Sequence, residues 1–113
     1  MEKKKYNISV PAGFKTTRNE FYMYDPSKEY TEELNLYYLQ DDLLQITNEQ
    51  NSIVIDLGWY GEVHSNEGKF KIYVIKDMDW ENPEQEIESI SSKDIYSKLV
   101  EVVDSINNTH NIK

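Results

Sequence analysis

The chain contains no cysteine, which excludes a disulfide framework and any zinc site of the cysteine type, and leaves the redox compartment unmarked. Glycine and proline are scarce, at four and three residues. No glycine-rich phosphate loop, nucleophile elbow or low-complexity linker occurs among them. Histidine appears twice, as His64 and His110, without a partner at metal-ligand spacing. His64, with Glu62 and Glu67 nearby in sequence, has the makings of a general base, but a solvated loop histidine is the plainer reading. No apolar run reaches the ~18 residues that a membrane span needs, and the opening stretch MEKKKYNISV lacks a secretory apolar core. The expectation is a cytoplasmic protein with no membrane partner.

Basic charge is also in deficit. Twelve Lys and Arg face 21 Asp and Glu, for a net charge of −9. Residues 1–18 hold Lys3, Lys4, Lys5, Lys15 and Arg18 against Glu2, a balance of +4, which leaves −13 on the other 95 residues. Nucleic-acid binding needs a positive footprint to neutralise phosphates. The body of this chain would repel nucleic acid and attract basic surfaces.

What is present is a strongly patterned segment from Ser52 to Asn107. In SIVIDLGWY (52–60) Ile53, Ile55, Leu57 and Trp59 alternate with Val54, Asp56, Gly58 and Tyr60, the pattern of a half-buried strand. In KFKIYVIK (69–76) Phe70, Ile72 and Val74 alternate with Lys69, Lys71 and Tyr73. The intervening GEVHSNEG reads as a long hairpin loop. Two strands alone are not stable in water. Ile95, Leu99, Val102, Val103 and Ile106 recur at helical spacing and supply the covering stripe. Ser91 or Ser92 caps that helix, with Asp94 completing a variant capping box. Glu86–Ile90 reads as a short edge strand whose glutamates discourage further strand addition.

The N-terminal half is less patterned. Tyr6–Val10 and Glu20–Tyr24 have short-strand character, and Asp25-Pro26 stops the second. Two readings compete over Thr31–Gln50. One is a single helix over about 31–48, capped by Thr31 and carrying Leu34, Tyr37, Tyr38 and Leu44 on one face. The other is a strand over Glu33–Leu39 followed by a shorter helix from Asp41. The first is preferred. The whole reads as one α+β domain over residues 1–113, a small antiparallel sheet built on the central hairpin (about 52–60 and 69–76) with a C-terminal helix over about 92–107.

Chemistry-bearing groups are few. Asp77, Asp79 and Glu81 alternate like hard-cation ligands, but the glycine and the distant bidentate glutamate of a calcium loop are not in place. No cofactor, metal site or catalytic constellation is expected. Trp59 belongs to the core by its place on the strand. Trp80, set among Asp77, Asp79, Glu81 and Glu84, either pins the acidic loop to the sheet or anchors an interface. Nine tyrosines, among them Tyr22, Tyr24, Tyr30, Tyr37, Tyr38, Tyr60 and Tyr73, fill a core short of aliphatics or make a surface at once aromatic and acidic.

Gly58, Trp59, Tyr60, Gly68, Phe70, Trp80, Glu81, Pro83 and the stretch Glu88–Ser92 form a pattern of strand ending in GWY, glycine before a second strand, W-E-x-P turn, and strand leading into a helix. It resembles that of small bacterial immunity proteins of polymorphic and contact-dependent growth inhibition systems. The likeness covers about Asp56 to Val103, and Gly61 stands where that pattern has proline. The resemblance implies a non-enzymatic protein that binds and neutralises the C-terminal domain of a cognate toxin, and the chain is expected to be a monomer or weak dimer. A basic nuclease domain fits the charge. The contact residues it leads us to expect are Tyr60, Glu62, Glu67, Asp77, Asp79, Trp80, Glu81 and Glu84. The alternative is an acidic protein-binding adaptor or regulatory module unrelated to toxins.

Overall fold

The computed structural model describes residues 3–61 and 68–110. In chain order the elements are strand β1 (Lys15–Asn19), short helices α1 (Pro26–Glu29) and α2 (Glu32–Tyr38), strands β2 (Leu44–Asn48), β3 (Ile53–Gly61), β4 (Gly68–Lys76) and β5 (Gln85–Ser89), and helix α3 (Ser92–His110). The strands form one antiparallel sheet in sequence order. The long β3–β4 hairpin, registered from Ile53↔Lys76 to Gly61↔Gly68, is its centre.

Directly paired residues point to the same side of a sheet. The register therefore aligns Leu44 with Leu57, Ile46 with Ile55, Ile55 with Val74, Leu57 with Ile72, and Ile72 with Ile87. These residues, with Trp59 and Phe70, make one apolar face, and Ile95, Leu99, Val102, Val103 and Ile106 of α3 are buried with them. The helical stripe and the strand alternation thus meet in the same core. Ser91 caps α3, its Oγ accepting from the Asp94 N–H at 3.2 Å. The chain before β1 is an ordered arm that joins this layer. Tyr6 stacks between Phe21 and Tyr96, and its backbone N–H donates to Phe21 O at 2.8 Å.

Three expectations are corrected. The helix read over 31–48 begins at the Thr31 cap, whose Oγ1 accepts from the Leu34 N–H at 3.1 Å, but ends at Tyr38. Leu39 turns extended, and Leu44–Asn48 is strand β2, with Leu44, Ile46 and Asn48 buried in alternation. The cause is tertiary: β3 presents backbone groups that need a ladder partner, and β-branched Ile46 and Thr47 suit a pleated surface. The competing assignment, strand then helix, has the two in the wrong order. Tyr6–Val10 forms no strand, and Glu20–Tyr24 contributes only a single bridge, Lys5 to Tyr22. The edge strand is instead β1, whose residues are nearly all exposed, so its sequence carries no apolar alternation. The short strand expected near Glu86–Ile90 is β5, at the opposite edge.

The smallest dimension of the molecule is 19 Å. That accommodates a sheet and one helical layer, about 10 Å each, so among the described residues no second layer covers the other face of the sheet.

Candidate functional site

Strand alternation assigns to this open face Gln45 and Thr47 of β2, Val54, Asp56, Gly58 and Tyr60 of β3, Lys69, Lys71, Tyr73 and Ile75 of β4, and Glu86 and Glu88 of β5. A solvated sheet face is ordinarily polar. Here its centre is buried: Val54, Asp56 and Ile75 are 9%, 7% and 1% exposed. Two loops give this face its relief.

One loop is the Gln40–Leu43 bulge. The Trp59 N–H donates to Gln40 O and the Leu43 N–H to Leu57 O, both at 2.9 Å, so Asp41 and Asp42 are squeezed out opposite Gly58. A Cβ on Gly58 would lie 2.1 Å from Asp41 O, so only glycine permits this approach. The bulge sets two acids beside Asp56 and Tyr60. Asp56 accepts from Gln45 Nε2 at 3.3 Å. Burial pushes its carboxyl above the usual range, Asp42 and Asp41 add to that, and the Gln45 hydrogen bond and Arg18 oppose it. Burial, then the charge of Asp56, pushes the Tyr60 phenol up to about 12. Tyr60 packs edge-on against Tyr73, with Lys71 Nζ 5.7 Å from its ring centre. Lys71 is tied to Glu86 and Glu88 at 3.3 Å, and Lys69 to Glu88 at 3.1 Å. Both lysines of this end are therefore paired.

The other loop leads from β4 to β5. Asp77 and Met78 both have positive φ, 56° and 60°, and the Asp79 N–H donates to Lys76 O at 3.1 Å. That combination is a type I′ turn, which strongly favours glycine or asparagine at its centre. Built from Asp and Met, it holds two left-handed non-glycine residues in a row, at a cost of about 1–2 kcal/mol each. The turn throws Met78 and Trp80 outward, 67% and 45% exposed. Between it and the β2–β3 turn lies a groove of about 820 Å³ lined by Thr47, Glu49, Val54, Asp77, Met78 and Trp80 among others. Asp79 accepts from Asn82 Nδ2 at 3.2 Å, and Glu81 and Glu84 are exposed on the same loop. Glu49, Asp77, Asp79, Glu81 and Glu84 form no ion pair among the described residues.

The expected contact residues are thus divided. Asp77 and Trp80 line the groove, and Asp79, Glu81 and Glu84 share its loop. Tyr60 lies at the far end of β3, about 20 Å along the strand from Val54. Glu62, Glu67 and His64 lie outside the described residues. Trp59 is 4% exposed and belongs to the core. The tyrosines divide too: Tyr24 and Tyr38 are buried, whereas Tyr37 is 74% exposed beside Leu36. No family model, curated protein or solved structure matches the chain. The functional reading therefore stands on the geometry and charge of this face.

Sequence reasoning did not single out Met78, Glu49 or Val54. Val54 was visible as an apolar residue on the polar side of the strand pattern, and Met78 as an apolar residue between two acids. Glu49 carried no such mark, since only the β2–β3 turn brings it to the groove. Among the described residues no cluster of three or more His, Asp or Glu side chains is arranged to hold a metal ion, and no helix is long and apolar enough to cross a membrane.

Proposed function

We propose that this chain is an immunity protein, which binds the C-terminal domain of a cognate bacterial toxin stoichiometrically and neutralises it in the cytoplasm of the producing cell. The observation that carries the proposal is the turn end of the open face. Two large apolar side chains, Met78 and Trp80, stand exposed on a strained turn at a groove, amid five carboxylates with no ion pair among the described residues. Exposed tryptophan is the usual anchor of a protein interface, and surplus carboxylates draw in a basic partner and speed its capture. A nuclease-type toxin has such a surface, because its active site must hold phosphate. The family resemblance of Asp56–Val103 agrees in kind.

The test is capture from the source organism. The tagged protein, incubated with lysate and washed at high salt, should retain a roughly equimolar partner matching the C-terminal region of a large secreted protein. Co-expression should then rescue growth of cells making that domain. Retention of a housekeeping protein alone, with no rescue by co-expression, would replace the immunity reading with that of an adaptor.

A further inference from the structure

The groove beside Trp80 has a chemistry more specific than negative charge. Its lining combines the apolar Val54, Met78 and Trp80 with two acids, Glu49 on the β2–β3 turn and Asp77 on the β4–β5 turn. Uncharged acceptors on Thr47 and Ser52 line the space between. Lys15 and Arg18, opposite Thr47 and Gln45 in register, are the cations that β1 brings to this face, whereas Lys76 pairs with Ile53 on the covered side. An indole, aliphatic side chains and a carboxylate from each of the two turns suit one side chain in particular. Arginine has an aliphatic stem to lie on apolar surface, a planar guanidinium that stacks on indole, and a forked donor set for carboxylates.

We infer that the groove between the β2–β3 and β4–β5 turns is an arginine pocket: a partner's arginine lays its stem on Val54 and Met78, stacks its guanidinium on Trp80, and pairs with Asp77 and Glu49. This deepens the proposed function, since a basic partner would present that arginine. The strain at Asp77 and Met78 is part of the device. It holds Trp80 and the Asp77 carboxylate in place before the partner arrives, so less ordering is required on binding.

The experiment needs no partner protein. The isotope-labelled full chain is titrated with the blocked tripeptides Gly-Arg-Gly, Gly-Lys-Gly and Gly-citrulline-Gly, and the two tryptophan indole N–H signals and the Met78 methyl signal are followed by NMR. The arginine peptide should bind in the low-millimolar range, shifting Trp80 and Met78 but not the buried Trp59. The lysine peptide should bind about three- to tenfold more weakly, because a compact ammonium neither stacks nor forks. The citrulline peptide, isosteric but neutral, should not bind. Trp80→Ala should abolish the arginine response. Asp77→Asn and Glu49→Gln, surface changes that leave the fold intact, should each weaken it and reduce its salt dependence. Equal affinity for lysine and arginine would overturn the inference, as would binding of citrulline, or no response of Trp80 and Met78 to arginine. Failure of this titration would leave the capture of a toxin standing. Its success beside a failed capture would assign the same pocket to an adaptor.

Discussion

Gly68 shows how little latitude a single position can have here. A Cβ on Gly68 would lie 2.1 Å from the Trp59 indole, which is itself packed in the core and cannot withdraw. Gly68→Ala should therefore destabilise the fold by about 2 kcal/mol or more, measured by urea denaturation, as overpacking of a filled core does. Asp56 is the opposite case, a residue whose replacement should help. Its folded-state pKa is raised by burial, so the native state holds its proton more tightly than the unfolded chain does. Asp56 thus costs stability above its folded pKa, and that cost fades as pH falls through the folded pKa towards the unfolded value. Asp56→Asn keeps an acceptor for Gln45 and removes the charge. It should raise stability at neutral pH, with the gain shrinking on acidification, as urea denaturation across a pH series would show. A gain independent of pH would mean that the carboxylate is not the source.

At the scale of elements, the turn that joins β4 to β5 trades stability for display. Replacing Asp77-Met78 by Asn-Gly supplies the residues that a type I′ turn prefers and should stabilise the fold by about 1–2 kcal/mol. The same double variant removes the Met78 flank and one carboxylate of the groove, so it should bind the arginine peptide more weakly while melting at a higher temperature. A variant both more stable and equally good at binding would show that the turn's strain serves no contact. The α3 cap is a simpler matter. Ser91→Ala loses the bond to the Asp94 N–H and should cost about 1 kcal/mol.

On the scale of the whole molecule, the open face is acidic at both ends. Lys69 and Lys71 are matched by Glu86 and Glu88 at the Tyr60 end, where Asp41, Asp42 and Asp56 add further acid, and the carboxylates of the turn end stand beside the exposed Met78 and Trp80. Reversing Asp77, Asp79 and Glu81 to lysine should therefore leave the melting temperature nearly unchanged, since surface charges contribute little to stability. It should slow association with a basic partner by tenfold or more at low salt, with the difference narrowing as salt is added. Association rates measured across a salt series check this. An unaltered rate would remove the β4–β5 loop from the interface.

Periodicity in the chain was sufficient for the β3–β4 hairpin, the apolar stripe and cap of α3, and the acidic edge strand, because each is written in neighbouring residues with a repeat of two or 3.6. Where that local signal fails, so does the reading. β1 is polar on both sides and has no period to detect. Leu44 follows Leu34, Tyr37 and Tyr38 at a helix-compatible spacing, and the demand of β3 for a ladder partner made Leu44–Asn48 a strand. The candidate site divides along the same line. Asp77, Asp79, Trp80, Glu81 and Glu84 are contiguous, so their association was legible in the chain. That Glu49 and Val54 join Asp77, Met78 and Trp80 at one groove, that Tyr60 stands at the opposite end of the face, and that Asp56 is buried on a face without a helical layer were decided by strand register and by two loops folding back on the sheet. Those are contacts between residues distant in sequence, and composition and spacing carry no record of them.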